Sequence, residues 1–112
     1  MLVIIDYKVG NLGSLLNMCK YLGINAKISK DKKEILNASN IILPGVGSFD
    51  YCIKMINKSG ILDALEKSVF EKKTPILGIC AGMQIMTFKS EEGNSNGLGW
   101  INASVIKIPP TQ

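Results

Sequence analysis

The chain has 112 residues, 46% of them apolar, with 13 basic against 9 acidic side chains and a net charge of +4. That length, with a mean hydropathy of +0.21, fits one folded domain around a single core and argues against a disordered chain. The lysines are scattered rather than gathered with aromatics, against a nucleic-acid face. Three dispersed cysteines without a histidine speak against a zinc site.

The N-terminal "MLVIIDY" is too brief for a membrane span and lacks the basic start of a leader. A cytoplasmic protein with no metal or cofactor is expected. "LVIID" is a continuous β-branched run, the pattern of a strand buried on both faces. From Leu12 the apolar positions Leu12, Leu15, Leu16, Cys19 and Leu22 follow helical spacing, with Gly23 placed to end the helix. "NAKIS" reads as a second strand, "KKEILNAS" as a short helix, and "NIILPG" as a third, buried strand ended by Pro44.

Ser48 is placed to cap a helix that turns Phe49, Cys52, Ile53 and Ile56 inward. The next helix has Ile61, Leu62, Leu65, Val69 and Phe70 as its apolar stripe. "PILGI" is a fourth strand and Ala81 to about Phe88 a further helix. "SEEGNSNGLG" is loop, and "WINASVIKI" is a last strand ending at Pro109–Pro110. This alternation predicts an α/β sandwich with a mostly parallel sheet and helices on both faces. Ligands on such sheets bind beyond the carboxyl ends of the strands, so the loops after Ile5, Leu43 and Ile79 are the ones to inspect. The last predicted strand has no helix after it, which leads us to expect the front portion of a larger domain.

Three stretches carry candidate chemistry. The first is Gly78-Ile79-Cys80-Ala81-Gly82, a G-x-C-x-G between a strand and a helix. It reads either as a buried cysteine between packing glycines or as a nucleophile elbow; the strand before and helix after favour the elbow. In that arrangement the flanking glycines make room for a tight turn, and the Ala81 amide faces an oxyanion formed at the attacked carbon. Cys19 and Cys52 instead fall on apolar helix stripes and read as core residues. The second stretch is "LPGVGSFD", Leu43 to Asp50, which is either an ordinary strand-to-helix turn or a loop whose amides face an anion. The third, "IDYKVGNLGS", has only G-x-x-G and lacks the spacing of a dinucleotide fingerprint.

In this order "DYKVGNLGS", "LPGVGSF", "LGICAGMQ", and then "SEEG" with "GLGWI", resemble the triad-type (class I) glutamine amidotransferases. Within them they are most similar to the glutaminase subunits that feed ammonia to a (β/α)8 synthase subunit in histidine biosynthesis. The resemblance runs from Ile5 to about Ile108. It implies a flavodoxin-like sandwich, here broken off after about the fifth strand, with residues 1–112 forming the N-terminal part of one amidotransferase domain.

The resemblance also implies roles. Cys80 corresponds to the nucleophile that attacks the glutamine side-chain amide. The Val46 and Ala81 amides correspond to oxyanion donors, with Gly45 and Gly47 allowing close approach. Gln84 corresponds to a residue that helps hold the substrate glutamine, and Asn11 to a region at the interface with the synthase subunit in a heterodimer.

Two local departures are Lys8, where the family commonly has glycine, and Ala81, where it has a larger aliphatic. A larger departure is that the family completes its triad with a His and a Glu near the end of a chain roughly twice as long. This sequence has no histidine and is expected not to turn over glutamine alone. Two other functions remain open from sequence: a relative supplying ammonia for amidino-sugar synthesis, which Trp100 brings to mind, and a non-catalytic binding module on the synthase subunit.

Overall fold

The computed structural model describes residues 1–109, so the predicted strand end at Pro110 lies outside the described residues. Four parallel strands form one sheet: β1 (Leu2–Ile5), β2 (Ala26–Ser29), β3 (Asn40–Leu43) and β4 (Ile76–Gly78), in the order β2-β1-β3-β4. The order reverses between β1 and β3, so the loops leaving these strands diverge and open a crevice at their carboxyl ends.

Alternation along the strands divides the core in two. Ile4 and Ile42 face α1 (Leu12–Tyr21) and its buried Cys19. Val3, Ile5, Ile41 and Leu43 face the opposite side, against α2 (Lys32–Leu36), α3 (Phe49–Lys58) and α4 (Leu62–Glu66). The predicted helices on both faces are therefore present. On the α1 side an apolar groove of about 450 Å³ runs beside Met18, Ile42, Leu77 and Ile79, and Leu77 is exposed.

The helix ends follow their sequence signals. Asn11, Asp31 and Ser48 cap α1, α2 and α3 by accepting backbone N–H bonds one turn ahead. Gly23, at φ +74°, closes α1: its N–H donates to Lys20 O and the Ile24 N–H to Cys19 O, the paired bonds of a Schellman end. Along α3 the four predicted inward residues, Phe49, Cys52, Ile53 and Ile56, are all buried.

Three expectations are corrected. After Glu66 the helix widens into a π-helical turn, Lys67–Glu71, with the Lys72 N–H reaching back to Lys67 O. The widening shifts the inward face: Ser68 is buried and donates to Ile35 O, while Phe70 turns outward and meets Trp100 edge to face at 6.0 Å. The helix expected from Ala81 to Phe88 is one turn only, α5 (Ala81–Gln84). The carbonyls that would extend it are taken by other donors: Gln84 O by the Thr87 hydroxyl, Ile85 O by the Leu98 N–H, and Met86 O by the Ile101 N–H.

Finally, "WINASVIKI" does not become a fifth strand of the sheet. Its backbone bonds go to the segment just after α5, through Phe88 N–H to Ala103 O and Val105 N–H to Lys89 O. Only an isolated bridge, Ser90 with Val105, is strand-like.

Candidate active site

The turn after β4 brings Cys80 to the carboxyl end of the sheet. Its backbone lies at φ +53° and ψ −122°, a combination that belongs to the first central position of a type II′ turn and to glycine. The Gly82 N–H donates to Ile79 O at 2.9 Å and closes that turn. A cysteine there carries strain of order 1–3 kcal/mol, a cost commonly found at reactive positions. Cys80 is exposed, whereas Cys19 and Cys52 are buried, as their places on apolar stripes predict.

The glycines around the elbow have a packing reason. A methyl group on Gly78 would stand 2.6 Å from Met83 Cα, and one on Gly45 would stand 2.7 Å from the Ala81 carbonyl carbon. One on Gly82 would overlap the carbonyl of Leu43. The Ile79 N–H also donates to Leu43 O at 3.0 Å. The loop after β3 and the start of α5 therefore touch backbone to backbone, which only this set of small residues permits.

Asn11, Gly45, Val46 and Cys80 line one pocket of about 180 Å³, together with Gly10, Pro44 and Ile79. Asn11 also caps α1, its side-chain oxygen accepting from the Ser14 N–H at 3.2 Å. The amides of Val46, Gly47 and Ala81 donate to no acceptor among the described residues. Gly47, at φ +83°, turns the chain toward α3, and Gln84 is half-buried on α5; neither lines the pocket.

Sequence reasoning missed the residues beneath this loop. Tyr7, just past β1, is 2% exposed, and its hydroxyl donates to Pro44 O. Cys52 on α3 is fully buried and its thiol donates to Val46 O at 3.3 Å. Burial pushes both groups above their ordinary pKa values, and the neighbouring Cys52 pushes Tyr7 further the same way. A tyrosine directly after a buried strand, within reach of glycine loops, was the available signal. Lys8, the departure noted above, takes a left-handed backbone at φ +67° with its N–H donated to Asp6. A glycine would take this backbone without the strain that a side chain brings.

A strand–cysteine–helix turn at the carboxyl edge of a parallel sheet, facing a glycine loop with unbonded amides, defines an α/β protein with an exposed thiol as its candidate site. A model of the family "Glutamine amidotransferase class-I" matches residues 3–105, and the chain belongs to that family. Among similar proteins are imidazole glycerol phosphate synthase subunits HisH 2 of Methanococcus maripaludis, 49% identical over 108 residues, and of Pseudomonas aeruginosa, 45% identical. The HisH subunit of Leptospira interrogans is 47% identical. Each alignment takes in 96% of this chain and 53% or 54% of the relative, so the chain spans about half the length of the curated relatives it matches. A crystal structure of a glutamine amidotransferase superposes with a TM-score of 0.72 at 27% identity, covering 93% of this chain and 55% of that one.

Proposed function

We propose that these residues form the nucleophile-bearing part of a glutaminase subunit of imidazole glycerol phosphate synthase, which releases ammonia for a (β/α)8 synthase subunit. The observation that carries the reading is the strained, exposed Cys80 at the mouth of a pocket it shares with Gly45 and Val46. The Cys80 sulfur attacks the side-chain carbonyl carbon of glutamine. The C–N bond then breaks as the proton given up by the thiol passes to the nitrogen, ammonia leaves, and water hydrolyses the thioester to glutamate and the free thiol. The Val46 and Ala81 amides donate to the oxyanion, Gly45 and Gly47 keep that approach free of side chains, and Gln84 helps to hold the substrate. Asn11 lies on the rim nearest the synthase subunit.

Proton transfer to the departing ammonia and activation of water call for an imidazole. These 112 residues contain no histidine, so that base comes from outside them.

The test is alkylation by an electrophilic glutamine analogue followed by peptide mass mapping. Modification of Cys80 alone, suppressed by L-glutamine, is the expected result. Equal modification of Cys19, Cys52 and Cys80, or labelling that glutamine does not slow, would sink the reading.

A further inference from the structure

We infer that Tyr7 and Cys52 are positioning residues that hold the Pro44–Gly47 loop from beneath and fix the direction of its amides. The two side chains come from different elements, one after β1 and one on α3, and converge on alternate carbonyls of the same loop: Tyr7 on Pro44 O and Cys52 on Val46 O. Both are buried and stand side by side. In a trans peptide the carbonyl and the following N–H point in opposite directions. Drawing the Pro44 and Val46 carbonyls down therefore turns the Gly45 and Gly47 N–H groups away from the core. The Gly45–Val46 peptide is held between two fixed neighbours.

Beyond the contact of Gly45 with the first turn of α5, a loop of this composition has little else to hold it. Gly45 and Gly47 contribute no side chains, Val46 is exposed, and the Val46 and Gly47 amides are unbonded among the described residues. An oxyanion donor is effective only when it is aimed before charge develops. Tyr7 and Cys52 supply that aim without touching substrate. The structural claim stands alone; its catalytic consequence rests on the glutaminase reading above.

The experiment compares Tyr7→Phe, Cys52→Ala and Cys52→Ser with the parent, in the protein as its cells produce it. It reads 15N relaxation of the Val46 and Gly47 amides and the saturable labelling of Cys80 by the glutamine analogue. Phe keeps the ring of Tyr7 and Ser keeps a donor at position 52, so hydrogen bonding is separated from packing. In Tyr7→Phe and Cys52→Ala the loop amides gain mobility and the maximal labelling rate falls about ten- to a hundred-fold at unchanged half-saturation. Cys52→Ser restores most of both.

Loop amides as ordered in Tyr7→Phe and Cys52→Ala as in the parent would overturn the inference. So would equal losses in Cys52→Ser and Cys52→Ala, which would make position 52 a packing site. If the parent itself shows no glutamine-protected labelling, the glutaminase reading fails and the relaxation data alone decide the positioning role.

Discussion

Gly45 and Gly82 meet backbone to backbone: a methyl group on Gly45 would overlap the Gly82 amide nitrogen, and one on Gly82 would overlap the Leu43 carbonyl. This contact joins the loop after β3 to the first turn of α5, and so ties the candidate oxyanion amides to the candidate nucleophile. The neighbours in the way are main-chain atoms, which cannot move aside as a flexible side chain would.

Gly82→Ala is therefore expected to cost about 3 kcal/mol of stability, the upper range for overpacking. It should also abolish glutamine-protected labelling of Cys80. Urea denaturation reads the first effect and mass mapping the second. An alanine variant as stable as the parent would show that the two segments can separate freely.

The backbone of Cys80 predicts a conflict between stability and reactivity. Its φ of +53° with ψ of −122° suits glycine, and its exposed side chain contributes little burial. Cys80→Gly should raise stability by about 1 kcal/mol while removing the thiol. Cys80→Ala, which keeps the strain, should leave stability close to that of the parent. An equal change in both variants, read from denaturation midpoints, would mean that the turn is unstrained.

Asp50, in the first turn of α3, accepts N–H bonds from Asn94 at 2.9 Å and from Ser95 at 2.8 Å, and so anchors the loop that follows α5. Those bonds hold its carboxyl below the ordinary aspartate pKa. A depressed folded-state value contributes stability that is present above the unfolded pKa, about 3.9. That stability is lost as pH falls through the folded value. The stability difference between the parent and Asp50→Asn should thus be full near neutrality and shrink below about pH 4. Denaturation curves across that range check it; a pH-independent difference would remove Asp50 from the anchoring role.

Trp100 has a structural task that its sequence context did not reveal. Its indole N–H donates to the Glu66 carboxylate at 2.8 Å and its ring meets Phe70 edge to face. Together these hold the returning segment against the end of α4. Trp100→Phe, which keeps the ring contact and loses the bond, should cost about 1 kcal/mol. Trp100→Ala should cost about twice that and expose the segment after Phe88 to proteolysis. Cleavage elsewhere first would count against this attachment.

The sheet and its flanking helices were legible because their signals are local. Val3, Ile4 and Ile5 form an unbroken β-branched run, Asn11, Asp31 and Ser48 sit at caps, and Gly23 ends a helix. The elbow was legible for the same reason, since its glycines flank Cys80 within five residues.

What escaped depended on partners distant in sequence. The π-helical widening after Glu66 rests on Ser68 finding the Ile35 carbonyl, 33 residues away. Nothing in "KSVFE" announces that partner, so the stripe assigned to Val69 and Phe70 slipped. α5 stops early because Leu98 and Ile101 donate to carbonyls that a longer helix would use. "WINASVIKI" has the composition of a sheet strand, but its hydrogen bonds go to the neighbouring segment instead. Tyr7 lay 37 residues from the carbonyl it holds.

The strand order also decides what the Cys80 corner hangs from. β1 pairs with both β2 and β3, whereas β4 joins the sheet through β3. The segment bearing Cys80 thus docks on the β3 edge alone, and the two paired segments are well separated in sequence. Closing such long-range contacts costs chain entropy before they repay it, and slows assembly. A turn that closes after the folding barrier leaves its mark on unfolding alone, so Cys80→Gly is expected to slow unfolding and leave refolding nearly unchanged, which stopped-flow kinetics of the two variants would check. With one strand neighbour, the Cys80 corner hangs on β3 and on the Gly45–Gly82 contact, so the grip of those two decides how long it stays closed.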